Sequence, residues 1–149
     1  MSTPIRTLLL IGTLCAISIF QLSAQSPDLS HVKSALEKLN EGEIEAFKNG
    51  DCNQLSEYID DDVSIFLNGR KGSKKKLIGF CRMVERPFDK PSHVDMEYIP
   101  ISAESGYVLR TMEFSKDGVM YKNELVTKLW MKKESGWKIV HIHTTISTP

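Results

Sequence analysis

Neither sign of charge dominates this chain: 19 lysines and arginines stand against 19 aspartates and glutamates. A near-neutral protein has no general electrostatic pull on nucleic acid or membrane surfaces, so neither is expected as a partner. It also lacks internal repeats, low-complexity stretches and any break in composition, which leaves out solenoids, linkers and a second domain. No Ser/His/Asp set, phosphate-binding glycine loop or metal-ligand motif stands at telling spacing, so no named reaction and no cofactor is expected from the sequence. Cysteine is scarce, only Cys15, Cys52 and Cys81.

The single long apolar run is short. Residues 1–24 carry one cation, Arg6, then "TLLLIGTLCAISIF", then a small residue at Ala24, the pattern of an export signal cleaved before Gln25. A membrane span needs roughly 20 apolar residues, more than this run supplies. Leu22 is larger than the ideal residue three before the cut. Leu14, just before Cys15, is likewise larger than lipid attachment expects. The expected product is an exported protein, periplasmic or secreted, with no membrane attachment after cleavage and with residues 25–149 as one domain. Losing Arg6 leaves 18 cations against 19 acids. Cys52 and Cys81 then form an even pair in an oxidising compartment, where a bridge or two buried thiols are alternative outcomes.

Residues 29–47 place Leu29, Val32, Leu36, Leu39, Ile44 and Phe47 at helical spacing, which predicts a long or broken helix capped at Asp28 or Ser30 and ending at Asn49 and Gly50. A short helix, "NQLSEYI", follows. In "DDDVSIFLNG", Val63, Ile65 and Leu67 alternate with Ser64, Phe66 and Asn68, as in a strand ending at a glycine turn. A third helix is capped at Ser73 and stops before Pro87. Its lysines, with Arg70 and Lys71, read as a solvated helix entrance, and Asp60 to Asp62 as a capping, solvated turn. From His93 onward four long strands are separated by residues 104–106, 116–118 and 134–136. Helices first and a meander last predict an α+β domain, with helices packed on one face of a curved, mostly antiparallel sheet.

Strand alternation puts Val108, Arg110, Met112 and Phe114 on one face. Arg110 is a charge among apolar neighbours, and burying it without a partner costs several kcal/mol. A three-residue turn at "KDG" would place Glu124 opposite it, with Val126, Lys128 and Trp130 on the same face. Lys128, inside "LVTKLW", is a second cation of this kind. Either the long stems lie along apolar surface with their ends in water, or the face is a cation-lined cavity. The strand "GWKIVHIHTT" adds His141 and His143 on one face. A two-residue turn before it puts them with Lys128, a three-residue turn on the other side. They are read as satisfied structural residues, as anion ligands beside Arg110 and Lys128, or as two metal ligands still lacking the third that zinc requires. If chemistry occurs, His143 is the acid/base candidate. Phe66, Tyr58 and Trp130 are candidate apolar lining, each also suited to ordinary core.

"IEAFKNGDCNQLSEYIDDDVSIFLNG" and "TKLWMKKESGWKIVHIHTT" together resemble the nuclear transport factor 2-like superfamily, which includes the SnoaL-like proteins and ketosteroid isomerase. They look most like the association domain of calcium/calmodulin-dependent protein kinase II and its stand-alone bacterial relatives. The resemblance implies a cone-shaped fold, three helices over a bent sheet with a cavity between, and a homodimer formed through the sheet. It also implies a polar pocket for a carboxylate-bearing ligand, with Arg110 and Lys128 at matching positions. The isomerase base position falls on Leu67 and its tyrosine position on Glu43, so that activity is not expected. The sequence therefore predicts a small-ligand-binding protein with a cavity for an anionic molecule. The alternatives are a SnoaL-like isomerase, cyclase or lyase using His143, and a structural oligomerisation module.

Overall fold

The structure, a computed structural model, describes residues 28–149; the expected export signal lies outside the described residues. Helix α1 (Ser30–Asn49) buries Val32, Leu36, Asn40, Glu43 and Ala46 along one stripe. Two polar residues thus occupy positions that helical spacing reserves for the core. The Asp28 carboxylate accepts from the Ser30 amide at 2.9 Å. Gly50, at φ 74°, ends the helix in the left-handed conformation and returns its N–H to the last carbonyls. Helix α2 (Cys52–Tyr58) is capped by Asp51, and α3 (Lys74–Met83) by Ser73 as expected.

The six strands are β1 (Ile59–Leu67), β2 (Arg70–Lys71), β3 (His93–Ser102), β4 (Ser105–Lys116), β5 (Val119–Lys133) and β6 (Gly136–Ser147). Their order in the sheet is β2-β1-β6-β5-β4-β3. All neighbours are antiparallel except β1 and β6, which run parallel. After β1 the chain crosses through α3 to the far edge, then returns strand by strand until β6 closes against β1. Register shifts in β1, β3, β4–β5 and β5–β6 bend the sheet. The concave side holds the core, with Trp130, Leu36, Leu55, Ile59, Ile139 and Val108 fully buried.

Two turns decide which side chains share that side. The β4–β5 turn has two residues, Asp117 and Gly118, both at positive φ, and a shift beyond Ser115 follows. Arg110 therefore lies opposite Val126, and Glu124 opposite Met112, correcting the expected Arg110–Glu124 pairing. The turn and the extra residue compensate, so Arg110, Glu124, Val126, Lys128 and Trp130 still share the concave face. The β5–β6 turn also has two residues, Glu134 and Ser135, but the shift between Leu129 and Trp130 reverses the alternation beyond it. His141 pairs with Leu129 and His143 with Thr127, both on the convex side. A two-residue turn was expected to place the histidines with Lys128; the bulge undoes that.

Helix α1 crosses the sheet closely at Gly106. A Cβ built there meets Leu36 Cδ1 at 2.5 Å and the Ile99 carbonyl oxygen at 2.9 Å. Gly106→Ala is expected to destabilise the domain by about 1–3 kcal/mol through overpacking, measured by urea unfolding. The helices are tied to one another as well. Cys52 and Cys81 are joined in a disulfide with Cα atoms 5.9 Å apart, linking α2 to α3. The Arg86 guanidinium donates to the carbonyls of Phe47 and Lys48 at the end of α1 and of Cys81 and Val84 at the end of α3. A cation at two helix C-termini is favourably placed against both dipoles.

Candidate functional site

The concave face beneath α1 carries the charged groups. Lys128 is only 4% exposed. Its Nζ donates to the Glu43 carboxylate and, at 3.2 Å, to Asn40 Oδ1. Both partners come from the buried stripe of α1, where they sit three residues apart and so on one helix face. Burial pushes the Lys128 ammonium below the ordinary lysine range, Glu43 opposes that, and the nearby Arg110 charge adds to it. This is a buried ion pair with one neutral hydrogen-bond partner.

Arg110 differs. The residue is partly exposed, yet its Nε is buried and finds no hydrogen-bond partner among the described residues. Burial lowers the pKa of its guanidinium, against the pull of Glu43, Glu124 and then Tyr98, which places all three in its field. None of them forms an ion pair with it. Glu43 is held by Lys128, and Glu124 by Lys122 at 2.9 Å. Two carboxylates are thus already neutralised, and Arg110 keeps a positive charge without a direct counter-ion among the described residues.

Tyr98 and Met96 enter from β3, with Met96 the cross-strand partner of Arg110. The Tyr98 hydroxyl donates to Met96 Sδ at 3.3 Å and Asn40 Nδ2 to the same sulfur at 3.5 Å. The sequence reading missed Asn40, Tyr98 and Met96 as site residues and met Glu43 only as a displaced tyrosine. The available signal was the need of Lys128 for a buried acid, which Glu43 on the apolar stripe of α1 supplies.

The other candidates separate. Trp130 is fully buried, and the Tyr58 ring packs against its edge at 6.1 Å between centroids. Trp130 Nε1 has no hydrogen-bond partner among the described residues. Phe66, His141 and His143 stand together on the convex side, Phe66 6.2 Å from His141 and the two imidazoles 6.5 Å apart. The alternation of β1 explains Phe66, since Val63 and Ile65 turn inward. None of these three reaches the Arg110 side of the sheet. Leu67 is 49% exposed at the end of β1. Among the described residues no three His, Cys, Asp or Glu side chains are grouped to hold a metal ion.

Two open surface clefts lie away from Arg110. One, about 430 Å³, runs between α2, the start of β1 and the β5–β6 turn; there Lys74 meets Asp61 at 2.8 Å. The other, about 320 Å³, surrounds the disulfide with Arg82 and Arg86. The convex side of the sheet is open too, with Tyr107, Leu125 and Met131 exposed on it.

A family model described as a SnoaL-like domain matches residues 36–149. Among solved structures, an NTF-2 like protein of unknown function from Silicibacter pomeroyi superposes with a TM-score of 0.62 at 17% identity, over 79% of this chain and 98% of that one. The association domain of C. elegans CaMKII gives a TM-score of 0.59 at 17% identity, over 77% and 95%. An NTF2-like protein from Cytophaga hutchinsonii gives 0.59 at 14% identity, over 78% and 98%. At such identities the likeness is one of fold. No curated protein matches.

Proposed function

The chain belongs to the SnoaL-like domain family, with the nuclear transport factor 2-like fold, and from that premise we propose that it is an exported protein binding a small carboxylate-bearing molecule beneath α1. One observation carries the reading: a guanidinium on the concave face whose buried Nε is unpartnered while the carboxylates around it are already held by lysines. An arginine so placed offers a planar, multidentate set of donors, the geometry that carboxylates match. Export to an oxidising compartment is supported by the Cys52–Cys81 bridge. A second copy of this chain is the proposed occupant of the exposed apolar residues on the convex side.

Arg110→Ala tests the central claim. Removing a charge-assisted contact is expected to weaken binding of a simple carboxylate by about 10- to 100-fold in titration calorimetry, with the thermal unfolding transition retained. Unchanged affinity in a folded variant would reject the anchor.

A further inference from the structure

We propose that the outer face of α3 is a docking surface for anionic phospholipid, with Lys75, Lys76 and Arg82 on the headgroups and Phe80 and Met83 entering the lipid interface between them. The inference uses none of the residues around Arg110 and is independent of that reading.

The neutrality that argues against a membrane partner belongs to the chain as a whole. Between Arg70 and Met83 stand six cations and no acid, so the balancing acids lie elsewhere. Lys74 is engaged, donating to Asp61 and to the Ile59 carbonyl. Arg70, Lys71, Lys75, Lys76 and Arg82 are exposed and have no ion pair among the described residues. Helix α3 turns Ile78 and Cys81 into the core. On its opposite side Lys76, Phe80 and Met83 follow at helical spacing in one outward line, with Lys75, Gly79 and Arg82 in a second line beside it. Phe80 is 50% exposed and Met83 78%. The Phe80 ring is nonetheless fixed, lying 6.1 Å from Phe47, which itself stacks on Phe88 at 5.2 Å.

Two features of this face cost the helix stability. Lysines fill its first turn, with no acid among them, at the end where the helix dipole repels cations. Gly79 sits mid-helix, where only proline is a poorer residue, although a Cβ there would meet nothing within 4 Å. Packing inside the chain demands neither. An anionic surface reverses the first cost, since negative charge there is favoured by the lysines and the dipole alike. Gly79 leaves room for a headgroup between Lys75 and Arg82. A soluble polyanion would satisfy the cations but leave a half-exposed phenylalanine and a protruding methionine in water. A lipid surface satisfies both, its headgroups meeting the cations and its upper methylenes the apolar pair.

The test uses the chain as it stands after cleavage before Gln25, so that the apolar leader adds nothing to lipid binding. Vesicles of phosphatidylcholine, alone or with about a third phosphatidylglycerol, are the probes in co-sedimentation. Wild type is expected to bind the anionic vesicles at least about tenfold more tightly than the neutral ones, and to lose most of that preference at about 0.5 M salt. Lys75→Glu with Lys76→Glu is expected to weaken binding by about tenfold or more. Acids at that helix end are favoured by the dipole, so this loss cannot come from unfolding. Met83→Ser, at a residue with little packing to lose, is expected to weaken binding about threefold. Met83→Trp is expected to tighten it and to shift the added tryptophan's emission to the blue on anionic vesicles. Met83→Ser binding like wild type, with no emission shift in Met83→Trp, would overturn the lipid assignment in favour of a soluble polyanion, for which heparin is the probe. Wild type sedimenting no better with anionic than with neutral vesicles would overturn the docking surface outright, leaving the Arg110 reading untouched.

Discussion

Lys128→Met is expected to lower the unfolding free energy by about 3–5 kcal/mol, because it strands the Glu43 carboxylate inside the domain. Lys128 is buried to 4% exposure, and its ammonium joins two residues of α1 to the centre of β5. Adding Glu43→Leu removes the stranded charge, and the double variant is expected to recover most of the loss, since an apolar replacement of a buried pair is often neutral or better. Urea unfolding of both single variants and the double variant gives the coupling. Additive losses would show that the two side chains do not form one unit. The pair also leaves a signature in pH. With the folded-state lysine pushed below its ordinary range, the native chain releases this proton at a pH where the unfolded chain still holds it. Stability therefore rises with pH across that alkaline window, and below it the cost of the buried charge is present in full. This rise should vanish in the double variant.

The second large effect concerns the disulfide. Cys52 and Cys81 stand 29 residues apart in sequence and join α2 to α3. Closing a loop of that length restricts the unfolded chain by an amount equivalent to about 3–4 kcal/mol. A Cys52→Ala, Cys81→Ala variant is expected to be less stable by about that much, while its m-value rises as the freed unfolded chain exposes more surface. Both quantities come from one denaturation series with and without reductant. Wild type that responds to reductant no more than the variant does would show that the bridge contributes nothing.

Local patterns foretold most of the architecture. Ser73 and Gly50 mark helix ends because their chemistry there is local, a side-chain cap and a positive φ. The long strands followed from alternation between turn residues, and the same alternation placed Arg110 and Lys128 inward. Three features were not legible. Asn40 and Glu43 look like solvent-facing residues until Lys128, 85 residues beyond Glu43, is brought beneath them. The bulge at Leu129 and Trp130 has no fixed residue signature, yet it alone decides that His141 and His143 face away from the cluster. The parallel contact of β1 with β6 depends on where the meander finishes, which is a property of the whole sheet.

That last contact governs the order of assembly. Strand β6, the last in sequence of the six described strands, lies in the interior of the sheet between β1 and β5. Until it arrives, β1 with β2 and the β3–β5 ribbon are separate pieces with open flanks. From the completion of β5 until β6 is in place, the flanks of β1 and β5 are both exposed and ready to pair with other chains, and only the closing strand removes both at once.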